Sequence, residues 1–134
     1  MKKIKGTLAA GMLGLAAITI DHSAIAQPLG LKRTELLRHD LSIPGREVIQ
    51  AAIEFKPGDL GGRHKHPGEE MVYVLEGVIE YKVEGKPAVT LRAGQALFIP
   101  AETVHSAKNV GSGKATELAT YVVDKAKPLI TIVK

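Results

Sequence analysis

Short runs in which apolar and polar residues alternate follow one another from Leu31 onward, each bounded by turn residues. Arg46–Phe55 (REVIQAAIEF) has the two-residue period of a strand with one buried face. Seven further segments have the same character and predict strands: 70–75, 78–83, 88–92, 96–99, 104–110, 116–123 and 129–133. No segment has the pattern of a convincing long helix. The chain is therefore predicted to be all-β, an antiparallel sandwich or barrel.

Two segments need separate treatment. Lys32–Leu41 suits a helical turn or a strand, and the nearby Ile43-Pro44-Gly45 limits it to a short element. Glu76-Gly77 separates two predicted strands and is typical of a hairpin turn, which would pair those strands with each other.

Alternation also predicts which side chains face inward. Val72 and Val74 share one face of their strand. Met71, Tyr73 and Leu75 share the opposite face. The remaining candidates for the interior belong to three other strands: Ile79, Tyr81, Val83, Phe98, Ile99 and Tyr121. Packing is the first role expected of these residues, and lining a small apolar cavity is the second.

The first 26 residues have the three parts of a secretory signal peptide. Three lysines lie within the first five residues, an apolar run follows, and Ala24-Ile25-Ala26 supplies a cleavage site. The apolar run is too short to favour a spanning helix, so no stable membrane span is expected after cleavage. The sequence thus predicts a signal peptide over 1–26, one domain over 27–134, and export to the periplasm or the medium.

Composition narrows the class of protein. The chain has 134 residues, no cysteine and a formal net charge of +4. Without disulfides, the domain must be stabilised by its core, by a metal or by self-association. Its basic residues are scattered and its aromatic residues are few, so nucleic-acid binding is not expected.

Histidines and a carboxylate are spaced as metal ligands in the middle of the chain. His64 and His66 are two residues apart, so on an extended chain their imidazoles lie on the same face. Glu70 follows a Pro67-Gly68 turn that can return its carboxylate to the same place, and His105 is available later in the chain. Glu69 is the competing carboxylate. His39 has no partner pattern and is predicted to lie on the surface.

The spacing of these residues resembles the cupin family. The first cupin motif is matched by Gly58, His64, His66, Glu70 and Gly77. The second is matched by Gly94, Pro100, His105 and Asn109, whereas Glu102 stands where the motif has glycine. The resemblance implies a small jelly-roll barrel of two sheets in which His64, His66, Glu70 and His105 bind one metal ion. It also implies a homodimer, because single-domain cupins commonly pair through their sheets. The glycines and Asn109 are interpreted as structural.

Several functions are compatible with such a site. Three imidazoles and one carboxylate suit a divalent Fe, Mn, Cu, Ni or Zn ion, which would act as a Lewis acid or exchange electrons. The favoured hypothesis is a metal-dependent enzyme of the oxidase or dioxygenase type acting on a small organic molecule. The alternative is a non-catalytic module that binds metal or a small ligand. No catalytic acid or base is identified, and Arg46, Arg63 and Arg92 are the arginines considered for holding an anionic substrate.

Overall fold

A computed structural model describes residues 30–134, which contain ten strands and no α-helix. The strands are β1 (Lys32–Asp40), β2 (Arg46–Phe55), β3 (Leu60–Lys65), β4 (Gly68–Glu76), β5 (Val78–Val83), β6 (Val89–Arg92), β7 (Ala96–Ile99), β8 (His105–Asn109), β9 (Ala115–Asp124) and β10 (Thr131–Ile132). None of these residues forms a helix that could span a bilayer. The predicted signal peptide lies outside the described residues.

Residues 30–134 form two antiparallel sheets of five strands each. The first has the order β1-β2-β9-β4-β7, and the second has the order β10-β3-β8-β5-β6. Neighbours in each sheet are mostly distant in sequence, as in a jelly roll. The predicted all-β fold of two sheets is confirmed.

The core lies between the two sheets and follows the predicted alternation. In β2, every second residue from Glu47 to Phe55 is buried. Val72 and Val74 of β4 are buried, whereas the intervening Tyr73 is exposed. Ile79, Tyr81, Val83, Ile99 and Tyr121 are buried as predicted. Burial of such apolar side chains is the main favourable contribution to folding of a domain without disulfides.

One inward assignment was wrong. Phe98 is 52% exposed and lies beside Met71 on the outer face of the first sheet. The two-residue period allows only one of two consecutive residues to face the core, and Ile99 takes that position.

The segment Lys32–Leu41 forms a long strand rather than a short element. β1 pairs with β2 from Lys32↔Glu54 to Asp40↔Glu47, with a register shift between Glu35 and Leu37. Ion pairs across the two strands add support, with Lys32 Nζ 2.7 Å from Glu54 Oε1 and Arg38 2.7 Å from Glu47 Oε1. Pairing with a ten-residue neighbour thus outweighs the weak strand preference of β1 itself.

The hairpin predicted at Glu76-Gly77 is also wrong. β4 pairs with β7 and β9 in the first sheet, whereas β5 pairs with β6 and β8 in the second. The turn therefore carries the chain from one sheet to the other. Gly77 has φ of 80° at this point, a conformation that glycine adopts without the steric cost paid by other residues.

Candidate metal centre

The four residues predicted as ligands come from both sheets. His64 in β3 and His105 in β8 are register partners in the second sheet, and His66 follows the end of β3. The chain then passes to the first sheet at Gly68, so Glu70 in β4 faces the histidines from the opposite side. The candidate ligands therefore face one another across the interior of the barrel.

Three imidazoles are clustered and buried. The ring centroids are 4.9 Å apart for His64 and His66, 4.3 Å for His64 and His105, and 5.1 Å for His66 and His105. One nitrogen from each ring lies within 4.8 Å of the others, so together they form a candidate site for a metal ion. All three side chains are buried.

Backbone carbonyls fix the tautomer of each imidazole. His64 Nδ1 lies 2.7 Å from Gly62 O, His66 Nδ1 lies 2.7 Å from Leu129 O, and His105 Nδ1 lies 2.9 Å from Thr103 O. A carbonyl oxygen can only accept, so each Nδ1 carries the proton and donates it. In its neutral form each ring then presents an Nε2 lone pair, and this is the form in which histidine binds metals.

Glu70 contributes an oxygen to the same place. Its Oε2 lies 3.0 Å from His105 Nε2 and 3.2 Å from His66 Nε2, but no hydrogen bond of good geometry is made by Glu70 Oε2 or His66 Nε2. Buried polar atoms without partners are costly, and a cation between these atoms would satisfy them. The donor set of imidazoles and one carboxylate thus fits a divalent transition metal.

The electrostatics of the cluster are consistent with that role. Burial and the charge of His105 lower the pKa of His64 to about 4, so its ring is neutral at pH 7. Burial acts to raise the pKa of Glu70, but the influence of the neighbouring His105 and His66 outweighs it, and the pKa is well below its usual range. Burial opposes the charged form of His105 as well, yet Glu70 raises its pKa.

A cavity of about 50 Å³ extends from these residues into the barrel. Its wall is mainly apolar, with Leu31, Ile53, Phe55, Ala107 and Ile130 among the lining residues. Drug-sized ligands occupy pockets of roughly 300–1,000 Å³. The cavity therefore suits only a small molecule.

A buried acid in this cavity was missed by sequence reasoning. Glu117 in β9 lines the cavity, and the Tyr81 hydroxyl of β5 donates a short hydrogen bond to Glu117 Oε2. The alternation along β9 could have indicated this acid, because Glu117 shares the inward face of the strand with Ala115, Ala119 and Tyr121. An acid among inward apolar residues is unusual, because a carboxylate is expensive to bury.

The arginines considered for an anionic substrate do not line this cavity. Arg46, Arg63 and Arg92 are exposed. Arg33 of β1 lines the cavity instead, with its guanidinium carbon 5.8 Å from the centre of the Tyr121 ring. The segment containing Arg33 was difficult to assign from sequence, so its inward arginine was not recognised.

The other residues considered in the sequence differ in their burial. Glu69 is half-buried and pairs with Val122, whereas Glu70 is buried beside the histidines. His39 is exposed. Asn109 is buried and structural: its amide donates to Phe55 O at 3.3 Å and to Gly113 O at 2.8 Å.

Glu102, the departure from the motif, lies in an exposed turn. Its carboxylate is 2.8 Å from Lys65 Nζ, and it has φ of 59°. Among residues 30–134 it is the only residue other than glycine with a positive φ. The loop thus keeps a conformation that favours glycine although it contains glutamate.

Comparison with known proteins adds the family context. A family model for the cupin domain matches residues 51–122, more than half of the chain. The polyketide synthase CurC of Streptomyces cyaneus is 43% identical over 61 residues, which are 45% of this chain and 39% of that protein. The oxalate-binding protein of Thermotoga maritima is 34% identical over 74 residues, 54% of this chain and 60% of that protein. The chain spans less than two thirds of the length of either relative.

Solved structures show the same fold. Oxalate oxidase in complex with the substrate analogue glycolate matches with a TM-score of 0.64 and 25% identity, over 81% of this chain and 57% of that one. A cupin superfamily protein from Desulfitobacterium hafniense matches with a TM-score of 0.59 and 18% identity, over 70% of this chain and 78% of that one.

Proposed function

Because this chain belongs to the cupin family, we propose that it is a metal-dependent enzyme that acts on a small organic molecule, with oxidation as the favoured chemistry. The proposal depends on one observation: the Nε2 atoms of His64, His66 and His105 and the carboxylate of Glu70 converge at a small cavity. These four residues are proposed to hold one divalent transition metal ion.

The proposed metal would supply Lewis acidity or, if it is Fe, Mn or Cu, electron exchange. Neutral imidazoles and one carboxylate would leave one positive charge of a divalent ion uncompensated. That charge favours an anionic ligand. The partly buried Arg33 would add to this preference from another part of the cavity wall.

Similarity to proteins of oxalate chemistry supports a small organic acid as the ligand. Oxalate oxidase matches in fold at 25% identity, and the oxalate-binding protein matches at 34% over part of its length. A cavity of about 50 Å³ is compatible with acids of this size. The name of the second relative also supports the alternative proposal, a module that binds a small acid without turnover.

Metal analysis of the purified protein tests the site. We expect about one equivalent of metal in the wild type, and binding at least roughly tenfold weaker in His64→Ala, because loss of even an outer partner of a metal ligand costs 10–100-fold. His39→Ala is the matched control, since His39 is exposed on β1. Equal metal content in all three proteins would contradict the assignment.

Oxygen consumption with oxalate and glycolate then separates the two functions. Turnover that requires metal and is lost in His64→Ala supports the enzyme. Turnover that persists without metal would refute it. Thermal stabilisation by the acids without product formation would instead support the binding module.

Export and self-association are further proposals. The signal-peptide pattern over 1–26 supports export, and the N-terminal mass of the protein recovered from the periplasm or medium tests it.

Met71, Tyr73 and Phe98 leave an exposed apolar area on the first sheet, which supports a homodimer. Sedimentation analysis of wild type and Phe98→Glu tests that assembly, which is expected to dissociate in the variant.

A further inference from the structure

Glu117 and Tyr81 join the two sheets across the interior. Glu117 belongs to β9 of the first sheet and Tyr81 to β5 of the second, and both are almost completely buried. The Tyr81 hydroxyl donates to Glu117 Oε2. This pair lines the same cavity as His64, Glu70 and His105.

The pair is separated from the candidate metal ligands along the strands. Glu70 is the register partner of Tyr121, whereas Glu117 is the partner of Val74. One inward pair, Val72 and Ala119, lies between these two. The metal centre and the Glu117–Tyr81 pair are therefore two separate polar regions of the cavity wall, which also includes Arg33 and Tyr121.

The hydrogen bond determines which oxygen of Glu117 is available. Oε2 already accepts the tyrosine hydroxyl, so a proton on the neutral carboxyl belongs on Oε1. We propose that Glu117 is a second anchor for the ligand: its neutral carboxyl donates a hydrogen bond from Oε1 to an oxygen of a small acid that also reaches the metal centre. This inference rests on the proposed metal site and extends it by a specificity-determining residue.

The protonation state supports this arrangement. Burial, and then the negative charge of Glu70, raise the pKa of Glu117 to about 8, although the bond from Tyr81 lowers it. A cation bound beside Glu70 would offset the negative charge of Glu70. The pKa of Glu117 is therefore expected to be lower in the metal-loaded protein than in the metal-free protein. Burial also raises the pKa of Tyr81, which therefore remains a hydroxyl donor.

Five other titratable or charged side chains also line the cavity. They are Arg33 on β1, His64 on β3, Glu70 on β4, His105 on β8 and Tyr121 on β9. Variants of Glu117 are needed to separate its contribution from theirs. A purely structural function would not require an acid, because buried ionisable pairs are commonly replaced by apolar residues without loss of stability.

Two substitutions distinguish anchoring from packing. Glu117→Leu removes the hydrogen-bond donor and suits an apolar core, whereas Glu117→Gln keeps a donor and cannot titrate. Metal content and thermal denaturation are measured for each variant of the metal-loaded, full-length protein. Calorimetric titration with malonate and with acetate follows, because malonate has a second carboxylate to accept a hydrogen bond from Glu117 and acetate has none.

At pH 6.5 we expect Glu117→Leu to bind malonate about tenfold more weakly than wild type, the loss expected for one hydrogen bond. Its affinity for acetate is expected to stay within about twofold, and Glu117→Gln is expected to retain malonate binding. Between pH 6.5 and 8.5, malonate affinity should fall more steeply in wild type than in Glu117→Gln, because an ionised Glu117 repels the anion.

Equal effects of Glu117→Leu on both acids, or parallel pH profiles in wild type and Glu117→Gln, would overturn the anchor. So would a metal-loaded wild type that binds malonate no better than acetate. These results would leave the metal site intact. Absence of metal from the wild type would refute the proposed function instead, and a second anchor without turnover would favour the binding module.

Discussion

Glu102 has a backbone conformation that glycine adopts more easily than any other residue. Its φ of 59° costs a residue with Cβ about 1–2 kcal/mol. Its exposed ion pair with Lys65 adds little stability, because such pairs contribute at most about 1 kcal/mol to the free energy of unfolding. We expect Glu102→Gly to be about 1 kcal/mol more stable than Glu102→Ala, which loses the same charge but keeps the strain. Urea denaturation of both variants would contradict this if their free energies of unfolding were equal.

The candidate ligands could be predicted from the sequence, whereas the cavity acid Glu117 could not. His64, His66 and Glu70 lie within seven residues, so their spacing can be recognised before their geometry is known. Glu117 is a single acid whose partner, Tyr81, is on another sheet. Nothing in the spacing of two such distant residues indicates that they meet.

The turn between β4 and β5 leaves less room at Gly77 than the turn after β5 leaves at Gly85. A Cβ on Gly77 would lie 2.6 Å from Lys114 O, whereas a Cβ on Gly85 would meet nothing within 4 Å. Both glycines have positive φ, 80° and 77°, so alanine would be strained at either position. Gly85→Ala is expected to cost about 1 kcal/mol.

Gly77→Ala is expected to cost about 3 kcal/mol or more, because overpacking against backbone adds to the same strain. Chemical denaturation of the two variants measures the difference directly. Similar losses would mean that the close approach of Gly77 to Lys114 and Ala115 does not restrict the turn.

Sequence reasoning located most strands but not all of their connections. Alternation in β2, β4 and β5 depends on local residues, and it was confirmed. The change of sheet at Gly77 depends on which distant strands pair with β4 and β5. A two-residue turn motif is similar whether it closes a hairpin or links two sheets, so this distinction was not available locally.

The buried Glu117 affects how the stability of the folded protein depends on pH. Its pKa is about 8 in the folded protein against an ordinary value of 4.5. Between these values the folded state holds more protons than the unfolded state, so stability falls as pH rises. The loss from this group is expected to be on the order of 1 kcal/mol per pH unit.

Denaturation of the metal-free protein at pH 5, 6.5 and 8 tests this linkage, with Glu117→Gln beside the wild type. The wild type should lose more stability than the variant over this range. His105, whose pKa is also raised, contributes a loss in the same direction to both proteins. Parallel curves would show that Glu117 is not protonated preferentially in the folded state.

The hydrogen bond from His66 Nδ1 to Leu129 O has a consequence for the order in which the protein matures. During synthesis, a chain that has emerged only as far as His105 already contains all four candidate ligands. The ring of His66 still lacks the carbonyl that fixes its tautomer, and β3 still lacks its neighbour β10. Metal capture is therefore expected to be a late step, after the segment that follows β9 has docked beside the histidines.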